Sequence, residues 1–434
     1  MIKNKKIFLR TFGCQMNEYD SELIRSILLK AGYVLSKSEE ATDIILLNTC
    51  SVRETANRKI FGLVDLLRHQ TKNKPILIGI LGCMATDLKE HLITNKKREV
   101  DFIVGPDSYR RLPAIIAQAQ KNKKIADITL SKKENYDDIY PQRQKGINAW
   151  VAITRGCNNF CSFCIVPYAR GRERSRKPKN ILAEIRKLVV EGYPQVTLLG
   201  QNVNSYNADG YDFPLLLDDI SQINGLKRIR FMSPHPKDFP TSLIDIIARQ
   251  KNVCKHIHLP LQSGSNRILR LMNRTYTKEQ FLRLVRAIRQ RIPQIAITTD
   301  IIIGFPTETE KDFRDTVDVF KKASFDAAFI FKYSPRTGTL AERRYKDDVS
   351  PEVKKERIIS LNALQQEFSL KQNMKLIGQT QEILLEEERQ PGHWRGRTDT
   401  NKIVSVYIPK AHAGKCVNVI ITSASVNGLT GKLL

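Results

Sequence analysis

The chain has 434 residues, 41% of them hydrophobic, which is more than one compact core organises and enough for two or three. Lys and Arg number 71 against 45 Asp and Glu, a formal balance of +26. Such a surplus favours polyphosphate partners, because each neutralised phosphate releases a condensed counterion; a merely basic soluble protein or an anionic membrane surface are the blander readings. No apolar run reaches the ~18–20 residues that span a bilayer. The basic start, Met1 to Lys6, runs into IFLRTF and a cysteine with no apolar signal core. A cytoplasmic protein is expected, and there eight cysteines point to metal or redox chemistry rather than to a disulfide framework.

In chain order, KIFLRTFG, IILLNT, PILIGIL and DFIVG read as strands, separated by helical periodicity in EYDSELIRSILLKAG and ETANRKIFGLVDLLRHQ. This alternation predicts an α/β domain over residues 1–120, a parallel sheet with helices on its faces. The charged stretch Lys121 to Lys145 reads as a linker holding a short strand at IADITL. Over residues 146–370 the strands AWVAIT, QVTLLGQ, RIRFMS, HIHLPLQ, AITTDIIIG and DAAFIFKYS alternate with helices. They predict a partial (β/α)6 barrel with ligands at the strands' carboxyl ends, an open doubly wound sheet being the alternative. Residues 371–434 show no long helical pattern. EILLEEE, KIVSVYIP, KCVNVIITSAS and GLTGKLL predict a small closed β-barrel of the oligonucleotide-binding kind. Its nine basic and five acidic residues say little by themselves.

The cysteines sort into two trios. Cys157, Cys161 and Cys164 form C-x3-C-x2-C directly after AWVAIT. A loop of this spacing wraps three thiolates around a cubane and leaves the fourth iron without a protein ligand. S-adenosylmethionine can chelate that iron and be split into a radical; a zinc site would ordinarily close with a fourth Cys or His, and no His lies in this loop. Cys14, Cys50 and Cys83 are far apart in sequence, yet each follows its strand at once, in TFGC, LLNTC and ILGC. Three parallel strands therefore deliver three thiols to one sheet edge, where open α/β sheets bind ligands, and Gly13 and Gly82 allow tight turns before the thiol. One such cysteine alone would be core filler; three in equivalent places suggest a second three-thiolate cluster with a coordination site free for exogenous sulfur. Cys254 and Cys416 have no partner at ligand spacing and read as filler.

With these motifs the chain resembles, over essentially its whole length, the methylthiotransferases of the radical S-adenosylmethionine superfamily, whose last domain is a TRAM domain. TFGCQMNEYDSE (Thr11 to Glu22), with Gln15, Met16 and Asn17 after the first cysteine, is similar to the MiaB branch. The branch acting on a ribosomal-protein aspartate usually has Pro-Lys-Asn there, and the branch acting on threonylcarbamoyladenosine in tRNA has Lys-Val-Asn. The resemblance implies methylthiolation at C2 of N6-isopentenyladenosine at position 37 of tRNA. It implies two [4Fe–4S] clusters: one on Cys157, Cys161 and Cys164 that cleaves S-adenosylmethionine, and an auxiliary one on Cys14, Cys50 and Cys83 that delivers sulfur. One S-adenosylmethionine gives the methyl group and a second gives the 5′-deoxyadenosyl radical. Expected partners are the tRNA anticodon stem-loop, an electron donor such as flavodoxin or ferredoxin, and an iron–sulfur assembly or sulfur-delivery protein. A monomer without membrane attachment is expected.

Phe163 occupies the position that in the superfamily lies near the cofactor adenine, or is a packing residue. Gly200, Gln201 and Asn202 stand where many relatives hold the methionine amino group, though Gln201 replaces an acid. Gln262 and Ser263 end the fourth barrel strand, where they can reach the methionine carboxylate or ribose of the cofactor, and Gly304, also expected at the cofactor, lies in a partly matched superfamily pattern with Asp300 where glycine is common. Arg170, Arg172, Arg174, Arg176, Lys177 and Lys179, opposed only by Glu173, read as an RNA-backbone grip at the site's mouth, or as a solvated charge run. Trp394 and Arg395 are placed to stack on or grip RNA, or to pack. Two rival functions are weighed: methylthiolation of a ribosomal protein, against which the +26 charge counts, and a non-catalytic RNA-binding iron–sulfur sensor, against which the complete cysteine loop counts.

Overall fold

The computed structural model describes all residues except 1–3, 41, 52–53, 71–75, 90–91, 93–99 and 122–123, and for 54–58 the backbone alone. The apolar runs of the first segment form a parallel sheet of β1 (Lys6–Thr11), β2 (Val34–Leu35), β3 (Ile44–Thr49), β4 (Leu77–Gly82), β5 (Phe102–Val104) and β6 (Ile125–Asp127), ordered β2-β1-β3-β4-β5-β6. Alternate side chains of β3 serve opposite faces. Ile44 and Leu46 meet Tyr19, Leu23 and Ile27 of α1 (Gln15–Lys30), while Ile45 and Leu47 meet Ile60, Val64 and Leu67 of α2 (Glu54–Gln70). Covered on both faces, β3 is buried along its length, which explains its unbroken apolar run.

The second segment supplies six parallel strands in chain order. Asn148–Ala152, Gln195–Leu199 and Arg228–Phe231 form one sheet; His256–His258, Ala296–Ile303 and Ala327–Lys332 form another. A parallel bridge between Ile229 and Val253 joins the two. The order never reverses, so there is no switch point and the doubly wound alternative falls; the strands curl into a partial barrel. Val151, Val196, Ile229, Ile257, Ile297 and Ile301 face a helical layer that includes Ile181, Ile185, Leu216 and Val285. The alternate residues bond to each other inside: Thr197 to Asn148 (2.7 Å), Arg230 to Gln195 (3.2 Å) and His258 to Asp300 (3.1 Å).

After the helix Pro351–Met374, five strands close into a barrel: Thr380–Gln390, His393–Thr398, Ile403–Tyr407, Leu429–Leu433 and Cys416–Ala424. The helix's last residues, Lys371–Met374, lie in the segment expected to lack helix. The strand His393–Thr398 also goes beyond the four expected, because its alternation is carried by Trp394, Gly396 and Thr398 and not by aliphatics. This small barrel plugs the amino end of the larger one. Arg230 donates to the carbonyls of Thr398 (2.8 Å) and Asp399 (3.2 Å), and Lys402 reaches Asp326 (2.8 Å) and Asn373 (2.9 Å). The carboxyl ends are left for the N-terminal domain, whose α1 packs on the strand Asn148–Ala152.

Residues 121–145 are not a loose tether. Ile125–Asp127 is the sixth strand of the N-terminal sheet, and Tyr136 is fully buried, its hydroxyl donating to the Pro106 carbonyl (2.9 Å). The charges that suggested solvent are paired: Glu134 with Arg110 (2.6 Å) and Asp137 with Arg176 (2.9 Å). Arg143 sits between Glu22 of α1 (3.4 Å) and Glu184 of the helix Pro178–Val190.

Burial outweighs the Arg143 charge and pushes the Glu22 carboxyl up to about 7. A carboxyl raised on folding contributes stability that is full below its unfolded value near 4.5 and is lost as pH rises through about 7. Glu22→Gln is therefore expected to melt close to the wild type at pH 4.5 and above it at pH 8, by at most about 3 kcal/mol. Thermal unfolding at the two pH values checks this; an equal or lower melting point at pH 8 contradicts it.

Candidate functional site

Cys14 follows β1 and caps α1, Cys50 follows β3, and Cys83 opens the short helix Cys83–Asp87 after β4. Cys50 and Cys83 are buried and Cys14 is exposed. The turns need glycine: Gly13 has φ 131° and a Cβ there would overlap Cys50, while Gly82 has φ 90° and a Cβ would overlap the Thr49 carbonyl. Asn17 and Asn48 fix the spacing. The Asn17 amide donates to the Thr49 carbonyl (3.0 Å) and its Oδ1 lies 3.2 Å from Cys14 Sγ; the Asn48 amide donates to the Asn17 carbonyl (2.9 Å). A hydrogen bond from Cys50, the Arg170 charge and the backbone amides of Asn17 and Met16 outweigh burial and bring the Cys14 thiol down to about 6. Burial raises Cys83 in spite of Arg170.

Cys157, Cys161 and Cys164 lie on a loop pinned at its base. The Cys157 amide donates to the Gly171 carbonyl (3.1 Å), and Thr154–Arg155 pairs antiparallel with Arg174–Ser175. Burial pushes Cys157 up to about 11 and Cys164 up to about 12. Thiols so raised keep their protons until a metal displaces them, so cluster assembly here releases protons. Arg274, buried, donates to Cys161 Sγ (3.3 Å), to the Pro260 carbonyl (3.0 Å) and to Tyr276 (3.0 Å).

The rim formed by the barrel's carboxyl ends carries two further marks of a site. Phe160, Ser233, Gln262 and Thr307 have positive φ there, a conformation that costs energy for residues other than glycine. The buried atoms Thr154 Oγ1, Gln201 Oε1, Asn202 Oδ1 and Tyr333 OH have no hydrogen-bond partner among the described residues. Asn202 also donates to Asp238 (2.8 Å), and a Cβ at Gly200 would overlap Thr154 Oγ1. Gly304 has φ 69° and lies against the Lys354 side chain. Phe163 packs partly on the cluster of Ile268, Met272, Phe305, Tyr333 and Ala341. Ser263 is turned inward, accepting from the Ser265 amide (3.2 Å) beside Thr316, so its hydroxyl is taken up by the fold.

The basic run needs correction. Arg170 pairs with Asp20 (2.9 Å), Arg174 with Asp107 (2.7 Å) and Arg176 with Asp137 and Glu184 (2.8 Å), all buried. In sequence they alternate with exposed residues, and their acidic partners lie elsewhere in the chain; only Arg172, whose guanidinium covers the Phe160 ring at 4.3 Å, Lys177 and Lys179 face solvent. Trp394 is likewise buried in the small barrel's core with Ile383, Leu385 and Val406, so it packs and does not stack on RNA; Arg395 beside it is half-buried. Asp20, Asn17, Asn48 and Arg274 were missed as site residues. Two left a signal: Asp20 interrupts the apolar stripe of α1, and Asn48 is a polar residue at the end of the apolar run of β3, still within the strand.

The cysteines suit iron–sulfur clusters. None of the eight is in a disulfide, and each trio has one buried arginine on a cysteine sulfur, the kind of hydrogen bond that tunes such clusters. Among the described residues no three His, Cys, Asp or Glu side chains converge as a single metal ion requires. A cubane asks for no such point, since each thiolate takes its own iron. The partnerless rim atoms suit a polar ligand such as the methionine part of S-adenosylmethionine.

Residues 6–105 match the uncharacterized protein family UPF0004, residues 151–320 the radical SAM superfamily and residues 375–434 the TRAM domain. The chain is 47% identical to the tRNA-2-methylthio-N(6)-dimethylallyladenosine synthase of Chloroherpeton thalassium and 45% identical to that of Bacteroides thetaiotaomicron, covering 99% of this chain and 96% of each relative. The chain belongs to this synthase family. The names of these relatives favour neither the ribosomal-protein nor the threonylcarbamoyladenosine alternative. Among solved structures, the radical S-adenosylmethionine methyltransferase TsrM from Kitasatospora setae, with cobalamin and a [4Fe-4S] cluster bound, shares the fold at TM-score 0.59 and 14% identity, over 78% of this chain and 74% of that one. The cobalamin-dependent radical enzyme OxsB matches at TM-score 0.54 and 14% identity, over 83% of this chain and 56% of that one. Enzymes of this family use S-adenosylmethionine and [4Fe-4S] clusters. No helix among the described residues is long and apolar enough to cross a membrane.

Proposed function

We propose that the chain inserts a methylthio group at C2 of N6-isopentenyladenosine at position 37 of tRNA. The observation that carries this reading is the pair of cysteine trios, none of them in a disulfide, at strand carboxyl ends, on elements that pack together, in a chain of this family. Cys157, Cys161 and Cys164 would hold one [4Fe–4S] cluster, and Cys14, Cys50 and Cys83 the other. When bound, these clusters supply the electron that splits S-adenosylmethionine into methionine and a 5′-deoxyadenosyl radical, and the sulfur that is methylated and transferred. The adenine C2–H bond is closed to polar chemistry, so its hydrogen must leave as an atom.

The chain's residues supply placement. Gln201, Asn202 and Tyr333 offer to the methionine part polar atoms that have no partner among the described residues, while at Gly200 and Gly304 the space of a Cβ is taken by Thr154 and Lys354. The α1 helix against the first barrel strand shields the seam from water. Arg172 and Lys177 remain for RNA phosphates, with Arg395 on the small barrel. In this reading residues 1–120 serve sulfur, 146–370 the radical and 371–434 the RNA. A flavodoxin- or ferredoxin-like reductant, a sulfur-delivery protein, a monomeric state and a cytoplasmic location belong to the same proposal. Nucleoside mass spectrometry of tRNA from cells lacking the chain is expected to show loss of 2-methylthio-N6-isopentenyladenosine and accumulation of the unthiolated nucleoside. An unchanged methylthio peak, with no redundant enzyme present, overturns it.

A further inference from the structure

Arg170 links the radical loop's helix to the N-terminal trio. It is the last residue of the helix Val166–Arg170, which begins two residues after Cys164, the last cysteine of the radical loop. The residue after it, Gly171, accepts the Cys157 amide hydrogen bond that closes the loop. The same arginine crosses to the N-terminal domain, where Nε donates to Cys83 Sγ (3.0 Å) and Nη2 to Asp20 Oδ2 (2.9 Å). Asp20, wholly buried, is held from its other side by Arg155 (2.7 Å), the residue that pairs with Arg174 at the loop base. The third donor nitrogen, Nη1, is buried and has no partner among the described residues. A guanidinium presents its donors in a fixed plane, so with Nε and Nη2 anchored the direction of Nη1 is set.

We propose that Arg170 is a positioning residue that ties the two trios together. It holds Cys83 and, through Nη1, an anionic sulfur on the N-terminal trio, at a place fixed by the helix that grows out of the radical loop. This rests on the two-cluster reading above. Asp20 anchors the arginine and keeps its charge compensated, so that the cation can sit beside thiolates without water. A donor and a positive charge beside a sulfur cluster both favour its reduced form.

The test is a potentiometric titration of the anaerobically reconstituted full-length enzyme followed by electron paramagnetic resonance, with S-adenosylmethionine added to mark the radical cluster's signal. Arg170→Gln is expected to shift the N-terminal cluster to lower potential while the S-adenosylmethionine-sensitive signal keeps its wild-type potential. Arg170→Lys, which keeps the charge but not the planar fork, is expected to fall between the two. An N-terminal potential equal to wild type in Arg170→Gln, or in Arg170→Lys should the glutamine variant not fold, overturns the inference alone. A wild-type enzyme with iron only on the radical trio overturns the two-cluster reading and this inference with it.

Discussion

Replacing Cys14, Cys50 and Cys83 together by alanine is expected to leave an enzyme that still cleaves S-adenosylmethionine but makes no methylthiolated tRNA. Replacing Cys157, Cys161 and Cys164 is expected to abolish both. The difference follows from where the trios sit. The radical loop is closed by its own bonds, Cys157 to Gly171 and the ladder of Thr154–Arg155 with Arg174–Ser175, and takes its donor to Cys161 from Arg274 within the same barrel. None of those contacts involves the N-terminal cysteines. Each variant is expected to lose about four of about eight irons per chain, with sulfide in proportion, as one cubane each. Methylthiolated product falls to background in both variants; 5′-deoxyadenosine forms only in the first. Loss of 5′-deoxyadenosine formation from the first variant, with its remaining iron intact, would mean that the trios do not divide the chemistry.

The second large effect falls on stability. Asp20 is wholly buried between Arg155 (2.7 Å) and Arg170 (2.9 Å), both nearly inaccessible. Removing one partner from a buried charge pair leaves the others uncompensated, at a cost of about 3–5 kcal/mol, because a guanidinium stripped of both water and counterion has no alternative. Asp20→Ala is therefore expected to lower the melting temperature by roughly 3–6 °C. The control is Asp245→Ala, which removes an equally short pair to Arg291 (2.8 Å) at the surface. Solvent screens that pair, so its loss is expected to cost under about 1 kcal/mol. Calorimetry on the two variants checks the contrast, and equal melting points contradict it. The buried charges also explain the fit of the halves: Met16, Tyr19 and Leu23 of α1 share one apolar cluster with Ala152 and Leu199 of the barrel, and Asp20 and its arginines fix the register within it.

What the sequence made legible was whatever repeats or punctuates. The unbroken run of β3, the strands followed at once by cysteine and the six β/α units follow from local periodicity and spacing, and they place both trios. Gly13 and Gly82 were readable because a turn that tight before a packed thiol admits no Cβ. What local patterns hide is pairing at a distance. Arg170 is 150 residues from Asp20, and Arg174 is 67 residues from Asp107, so half of a run that looks like a cationic surface is an internal clasp. The linker misled for the same reason, since Glu134 finds Arg110 only in the folded N-terminal domain and Asp137 finds Arg176 only once the domains meet. Trp394 looked like a platform for bases because one aromatic in a polar strand gives no sign of which face is closed.

The most direct test of the whole is the magnetic interaction between the two reduced clusters. Six thiols on two sheets can serve one adenine only if both clusters border the same space. The expected result is a dipolar splitting in the doubly reduced enzyme that is missing from the summed spectra of the two triple-alanine variants. A wild-type spectrum equal to that sum would put the sulfur donor out of the radical's reach.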